Sequence, residues 1–242
     1  MKTVLVTGGS RGIGKCIVEN LARDGYNVIL NYNNSEEKAK NIQYNLKQQG
    51  YNIEICKADV SKREEVKKLV EFCLNKFEKI DVLINNAGIS QIKLFTEITD
   101  EDWQDMINVN LTSVFMMSQE VARHMINEKD GCIINISSMW GEVGASCETH
   151  YSAAKSGVNG FTKALAKELG LSNVRVNAIA PGVIDTEMNK DLTKETINML
   201  KEEIPLNKIG KPKDIYKCVK WLIEDEFTSG QIISVNGGMV IK

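Results

Sequence analysis

The chain has 242 residues, with 30 Lys and Arg against 32 Asp and Glu and a net charge of −2. That length suits one large domain able to bury a core without disulfides or a structural metal, and the near-neutral balance removes the electrostatic case for nucleic acid or an anionic membrane as a partner. Six cysteines at 16, 56, 73, 132, 147 and 218 and only two histidines give neither a zinc spacing nor a redox pair, so no metal is expected and the thiols read as reduced and inert.

The N-terminus enters a strand directly, with no apolar leader and cleavage site ahead of it. No run approaches the roughly 20 apolar residues of a membrane span. A cytoplasmic protein is the expectation.

Strands are predicted at 3–7, 28–32, 53–58, 82–85, 132–137, 175–180 and 232–235. Several are continuously apolar, as strands covered on both faces are. Helical patterns lie between them at 12–24, 36–49, 63–76 and 102–127, with capping-box spacings at Ser61/Glu64 and Thr99/Asp102. The alternation runs unbroken from end to end. It predicts a single α/β domain over 1–242, a Rossmann-type doubly wound sheet of about seven parallel strands with helices on both faces.

The first strand runs into Gly8-Gly9-Ser10-Arg11-Gly12-Ile13-Gly14 and then a helix. Glycines allow positive φ and close backbone approach, and a helix N-terminus offers free N–H groups, so the loop reads as a dinucleotide pyrophosphate cradle. Its Gly-x-x-x-Gly-x-Gly spacing differs from the Gly-x-Gly-x-x-Gly of longer dehydrogenases. The second strand ends in Asn31-Tyr32-Asn33-Asn34-Ser35, and acids begin only at Glu36. A site for a free ribose 2′-hydroxyl usually has a carboxylate at that tip; Asn34, Ser35 and Arg11 suit a 2′-phosphate instead. NADP(H) is therefore expected over NAD(H), the alternative for Arg11 being a solvent-facing side chain.

Tyr151 and Lys155 stand four apart at the start of a helix that continues to about residue 170, which places them on one face. A phenol titrates near 10, and a neighbouring ammonium is expected to pull it toward the working range. Ser138, at the end of the fifth strand, can bind a carbonyl oxygen at the edge where parallel sheets hold ligands. The stretch 181–211 is the least regular part and reads as a substrate lid or as a pair of surface helices.

At this point the sequence resembles the short-chain dehydrogenase/reductase family over essentially its whole length. Thr7–Gly14 resembles the cofactor loop of that family, Asp59-Val60 its adenine-contacting pair, and Asn85-Asn86-Ala87-Gly88 the turn after its fourth strand. Asn110 matches the Asn that holds a water against the lysine; Ser138, Tyr151 and Lys155 match the other catalytic positions. Pro181, Gly182, Ile184 and Thr186 fall in the segment that receives the nicotinamide carboxamide. The resemblance implies hydride transfer between a nicotinamide and a ketone carbon. Tyr151 would donate the proton, Ser138 stabilise the oxygen, Lys155 hold the nicotinamide ribose and Asn110 complete a relay. It also implies a homotetramer built through the helices at 102–127 and 151–170 and a last strand at 231–241, although the apolar end at 238–241 suits a core strand equally.

Among subgroups the chain is most similar to bacterial 3-oxoacyl-acyl-carrier-protein reductases. Lys129 can meet an acidic carrier, but Ser172 stands where that group has an arginine. Segments 89–95 and 139–150 also resemble reductases of a 5-aminopentanone on elongation factor P. Trp140, Cys147 and His150 are expected on the substrate side, against packing for Trp140, an inert thiol for Cys147 and a solvent-facing or merely hydrogen-bonded ring for His150. A dinucleotide-binding sensor without turnover is the reading from another class.

Overall fold

The computed structural model describes residues 1–189 and 193–241. Seven strands, β1 (Thr3–Val6), β2 (Asn27–Tyr32), β3 (Ile53–Lys57), β4 (Val82–Asn85), β5 (Gly131–Ile136), β6 (Val174–Pro181) and β7 (Ile232–Val235), form one sheet in the order β3-β2-β1-β4-β5-β6-β7. Every pairing is parallel. The order reverses between β1 and β4, and the carboxyl ends of those strands open a crevice there.

Strand alternation divides the core in two. Val4 and Val6 face one layer with Val28, Leu30 and Ile84, under α1 (Gly12–Arg23), α2 (Glu36–Gln48) and, late in the chain, Pro212–Glu224. Leu5, Ile29, Leu83 and Ile133 face the other layer, under α3 (Arg63–Phe77) and the helices that follow β4. A strand whose successive side chains meet opposite helical layers has no polar face to show. That is why these strands read as continuous apolar runs.

The predicted helix at 102–127 is three pieces: α4 (Asp100–Ile107), a π-helical turn at Asn108–Thr112, and α5 (Ser113–Glu128). Thr99 makes the expected capping box with Asp102. Ser61 does not cap α3: its hydroxyl donates to Asp59 Oδ1 at 2.6 Å, and Lys62 occupies the N-cap position. The short α6 (Trp140–Val143) precedes α7 (Thr149–Leu169). Beyond β6, Ile184 bridges to Gly210, and α8 (Lys194–Glu203) is followed by α9 (Pro212–Glu224) with Pro212 in its first turn, where no N–H is needed. The last strand stops at Val235 rather than running to 241. Gly237 (φ 69°) and Gly238 (φ 88°) turn the chain away there and leave Ile241 exposed.

No helix among the described residues is long and apolar enough to cross a membrane. All six cysteines are free, and burial raises the thiol pKa of Cys73 and Cys132.

Candidate active site

β1 leads into the glycine loop, where Gly8 (φ 62°) and Gly12 (φ 53°) adopt the left-handed backbone. A Cβ on Gly14 would lie 2.4 Å from the Gly8 carbonyl oxygen and 2.5 Å from Asn86 Nδ2, so α1 packs against the loop as only glycine permits. Thr7, the first residue of the stretch that resembles the cofactor loop, ties this loop to the next one. Its Oγ1 accepts from the backbone N–H of Asn86 and of Ala87, each at 3.0 Å. Asn86 returns the bond through Nδ2 to the carbonyls of Thr7 and Gly8, both at 3.0 Å. Asn31 accepts from Gly9 N at 2.9 Å and donates into the backbone of Ala58, fixing the β2 tip beside the cradle. The first-turn N–H groups of α1 have no partner within the helix. Backbone donors and close-packed glycines together fit the pyrophosphate of a dinucleotide.

At the β2 tip Asn34 is exposed, Ser35 makes no side-chain cap bond, and Glu36 is engaged with Lys40 at 2.6 Å. Asp59 holds Ser61, and Val60 beside it is buried. On the far side of the crevice Gly182 donates to Val235 O at 3.0 Å and leaves no room for a side chain, its Cβ position being 2.8 Å from Asn236 Cα. Ile184 is buried, and its side chain packs against Gly210. Thr186 lies 3.5 Å from the position of a Cβ on Gly12, so this segment reaches the glycine loop. Lys38 at the start of α2 pairs with Glu187 at 2.6 Å, a link that joins residues 149 apart in sequence and has no local signal.

The predicted chemical residues converge at the ends of β4 and β5. Ser138 is buried, its Oγ accepting from Trp140 N at 3.1 Å, and its side chain is hydrogen-bonded to Tyr151. Lys155 Nζ lies 5.6 Å from the Tyr151 ring centroid and donates to Ile136 O at 2.9 Å. Gly141 permits this arrangement, because a Cβ there would come within 2.7 Å of the Lys155 backbone. Asn110 is fully buried in the π-helical turn; it accepts from Ile89 N at 3.2 Å and donates to Ile89 O at 3.0 Å and Met106 O at 3.1 Å. Gly88 separates it from the lysine: a Cβ there would lie 2.7 Å from Asn110 Oδ1 and 3.7 Å from Lys155 Nζ.

The electrostatics differ from the expectation for the tyrosine. Burial pushes the Tyr151 phenol up to about 12, with the Ser138 hydrogen bond opposing that rise and the Glu148 carboxylate adding to it. Burial brings Lys155 down to about 8. Desolvation disfavours the charged form of each, and for the phenol it outweighs the opposing Ser138 hydrogen bond. The phenol is held protonated, the form a proton donor requires.

Of the three residues expected on the substrate side, Trp140 and Cys147 are half-buried, with Cys147 in the left-handed backbone (φ 60°). His150 is fully buried and turns to Gln91 at 3.0 Å, so it does not line an open surface.

The model of the family described as short chain dehydrogenase matches residues 2–197. The chain is 40% identical over 240 residues to a 3-oxoacyl-[acyl-carrier-protein] reductase FabG of Staphylococcus epidermidis, covering 98% of each protein. It is 42% identical to the FabG of Chlamydia trachomatis, over 98% of this chain and 97% of that one. It is likewise 40% identical to the uncharacterized oxidoreductase YmfI of Bacillus subtilis, over 98% of each. A solved structure of a candidate gluconate dehydrogenase from Agrobacterium tumefaciens superposes with a TM-score of 0.94 at 33% identity, over 99% of this chain and 97% of that one. Matched by the family model through the cradle, the Ser138–Tyr151–Lys155 cluster and the start of α8, this oxidoreductase belongs to the short chain dehydrogenase family.

Proposed function

We propose that the enzyme reduces a ketone to a secondary alcohol with NADPH, the substrate being a 3-oxoacyl thioester carried on acyl-carrier protein. The observation that carries the chemistry is the buried contact of Ser138 with a protonated Tyr151, one helical turn from Lys155. A coenzyme bound with its pyrophosphate in the cradle would supply the hydride from its nicotinamide. Ser138 holds the carbonyl oxygen by a hydrogen bond that strengthens as negative charge grows there. Tyr151 gives its proton to that oxygen, and Lys155, charged below about 8, stabilises the phenolate left behind. Asn110, across Gly88 from the lysine, orders the turn through which a proton returns from water.

The preference for NADPH rests on a β2 tip that carries Asn33, Asn34 and Ser35 rather than a carboxylate, and on the exposed Arg11 of the glycine loop. The carrier-protein substrate rests on the names of the relatives and on Lys129. Asn173 Nδ2 donates to Lys129 O at 3.2 Å and thereby sets Lys129 beside Ser172, the position that lacks the arginine. Residues 181–211, of which 190–192 lie outside the described residues, serve as the lid, the enzyme is cytoplasmic, and α4, α5, α7 and the exposed C-terminal end form the contacts of a homotetramer.

A second reading has one specific observation in its favour. Glu148, three residues before Tyr151, is half-buried, its pKa is raised by burial, and it has no cationic partner among the described residues. A substrate bearing an ammonium group would supply one, as a 5-aminopentanone on elongation factor P does. NADPH oxidation measured with acetoacetyl thioesters and with the aminopentanone-modified factor decides between the two. A rate ratio of orders of magnitude selects one substrate, and no turnover with any ketone in a broad panel would leave a non-catalytic sensor.

A further inference from the structure

Four polar side chains outside the proposed catalytic set form a chain under the segment that follows β4. Lys93 Nζ reaches Asp102 Oδ2 at 2.5 Å, and Gln91 Nε2 donates to Asp102 Oδ1 at 2.9 Å. Gln91 Oε1 meets His150 Nε2 at 3.0 Å. Asp102 itself is fixed by the Thr99 capping box at the head of α4. Residues 91 and 93 belong to one loop, residue 102 to α4, and residue 150 to α7 immediately before Tyr151.

The protons in this chain can be assigned. Asp102 is ionised, held far below the ordinary carboxylate range first by Lys93 and then by Thr99 and Gln91, so it only accepts. The NH2 of Gln91 must face it, which leaves Oε1 toward the imidazole. His150 must then carry its proton on Nε2, and burial favours the neutral ring. The bare Nδ1 is buried without a hydrogen-bond partner. A buried acceptor left unpaired costs about 1–3 kcal/mol. Phenylalanine would fill the same space without that cost, so packing alone does not account for a histidine.

The loop held in this way lies against the reacting groups. Its first residue, Ile89, is clamped by Asn110, and Lys93 N donates to Cys147 O at 2.8 Å, just ahead of α7. Between those anchors the apolar side chain of Ile92 is exposed, as is that of Leu94 after them. From this geometry we infer that His150 is a positioning residue: through Gln91 it locks the 89–94 segment as one wall of the ketone site, and its Nε2–H sets where that wall stands relative to the Tyr151 hydroxyl. The inference rests on the reading of Tyr151 as the proton donor to a ketone.

The test uses the full-length enzyme with His150→Ala, His150→Gln and Gln91→Ala. Gln91 is only half-buried, so its variant folds even if truncating the imidazole proves disruptive. Glutamine at 150 keeps an N–H at similar reach. In steady-state kinetics His150→Ala and Gln91→Ala raise the ketone KM by about tenfold while KM for the coenzyme stays unchanged, and His150→Gln recovers most of the loss. Hydrogen exchange at the Lys93 amide, read without any substrate, quickens in the two alanine variants and not in His150→Gln. Equal rises in both KM values, no rescue by glutamine, or unchanged exchange at Lys93 would each overturn the assignment. A wild-type enzyme that turns over no ketone defeats the functional reading instead, and the exchange measurement still judges the lock.

Discussion

Lys155 and Tyr151 face each other one turn apart on α7, with the ammonium 5.6 Å from the ring centroid and its bond given to the carbonyl of Ile136. Burial moves the two in opposite directions on the pH scale, the lysine down to about 8 and the phenol up to about 12. Below about 8 both are protonated. Ketone reduction, which consumes the phenol proton and relies on the ammonium, is therefore expected to be flat up to about pH 8 and to fall above it. Alcohol oxidation needs the phenol to lose its proton and should climb with pH over the same range. Profiles of kcat/KM in the two directions check this, and a reduction rate that climbs through pH 8 contradicts it.

The same burial makes Lys155 a cost to the fold. A lysine whose folded pKa lies below its unfolded value destabilises fully at pH below the folded pKa, and the cost fades as pH rises toward the unfolded one. The fall from 10.5 to about 8 corresponds to about 3 kcal/mol at neutral pH as an upper figure. Lys155→Met is thus expected to abolish turnover and yet stabilise the protein by roughly 1–2 kcal/mol at pH 7, since it also gives up the bond to Ile136. Denaturant melts at pH 7 and near pH 10 should show that gain shrinking as pH rises. A variant less stable than wild type at pH 7 would show that the buried ammonium is not a net cost to the fold.

Much of this was legible in the chain because parallel strands buried on both faces announce themselves. Val82–Asn85 is wholly buried, and it was placed to the residue. Tyr151 and Lys155 could be placed on one face because four residues make nearly one helical turn. What failed was what local pattern cannot encode. The helical pattern predicted at 102–127 runs across the π-helical turn at Asn108–Thr112, so the bulge that holds the buried Asn110 left no mark in it. Ser61 has the right spacing to Glu64, but Asp59 competes for its hydroxyl. The Gln91–His150 bond spans 59 residues, and the burial of His150 follows from the packing of α4 against α7, which one-dimensional periodicity does not contain.

Gly14 gives the sharpest steric prediction. An added Cβ would sit 2.4 Å from the Gly8 carbonyl oxygen and 2.5 Å from Asn86 Nδ2, and neither neighbour is a free side-chain end: one is backbone, the other is held by two hydrogen bonds. Gly14→Ala must therefore shift α1 away from the loop, at a cost of about 1–3 kcal/mol. Because the same displacement moves the helix N-terminus off the cradle, coenzyme affinity should fall together with the melting temperature. Gly160→Ala on α7, where nothing lies within 4 Å of the added atom, is the control: it should leave coenzyme affinity unchanged and, through helix propensity, raise stability by up to about 1 kcal/mol. A Gly14→Ala enzyme that binds coenzyme normally would show that the cradle is not where the pyrophosphate sits.

Glu187 sets the last prediction, because it gathers the cations that a 2′-phosphate would need. Lys38 binds it at 2.6 Å, and the positive charges of Arg11 and, more weakly, of Lys15 also lower its pKa, Lys15 itself being paired with Glu19. A 2′-phosphate arriving there competes with Glu187 for Lys38 and Arg11 and is repelled by it. Removing the carboxylate and removing a cation should then act in opposite directions on one coenzyme and on the other hardly at all. Glu187→Gln is expected to lower KM for NADPH about two- to fivefold, a modest effect because the site is open to solvent and salt. Arg11→Ala is expected to raise KM for NADPH about tenfold through loss of a charge-assisted hydrogen bond. KM for NADH should move less than about twofold in either variant, since its ribose offers no phosphate to either charge. Measuring the four constants at two salt concentrations adds a check, because both NADPH effects should shrink as ionic strength rises. Parallel changes for the two coenzymes in Arg11→Ala would mean that the guanidinium serves the pyrophosphate or the fold, and that the preference for NADPH is wrong.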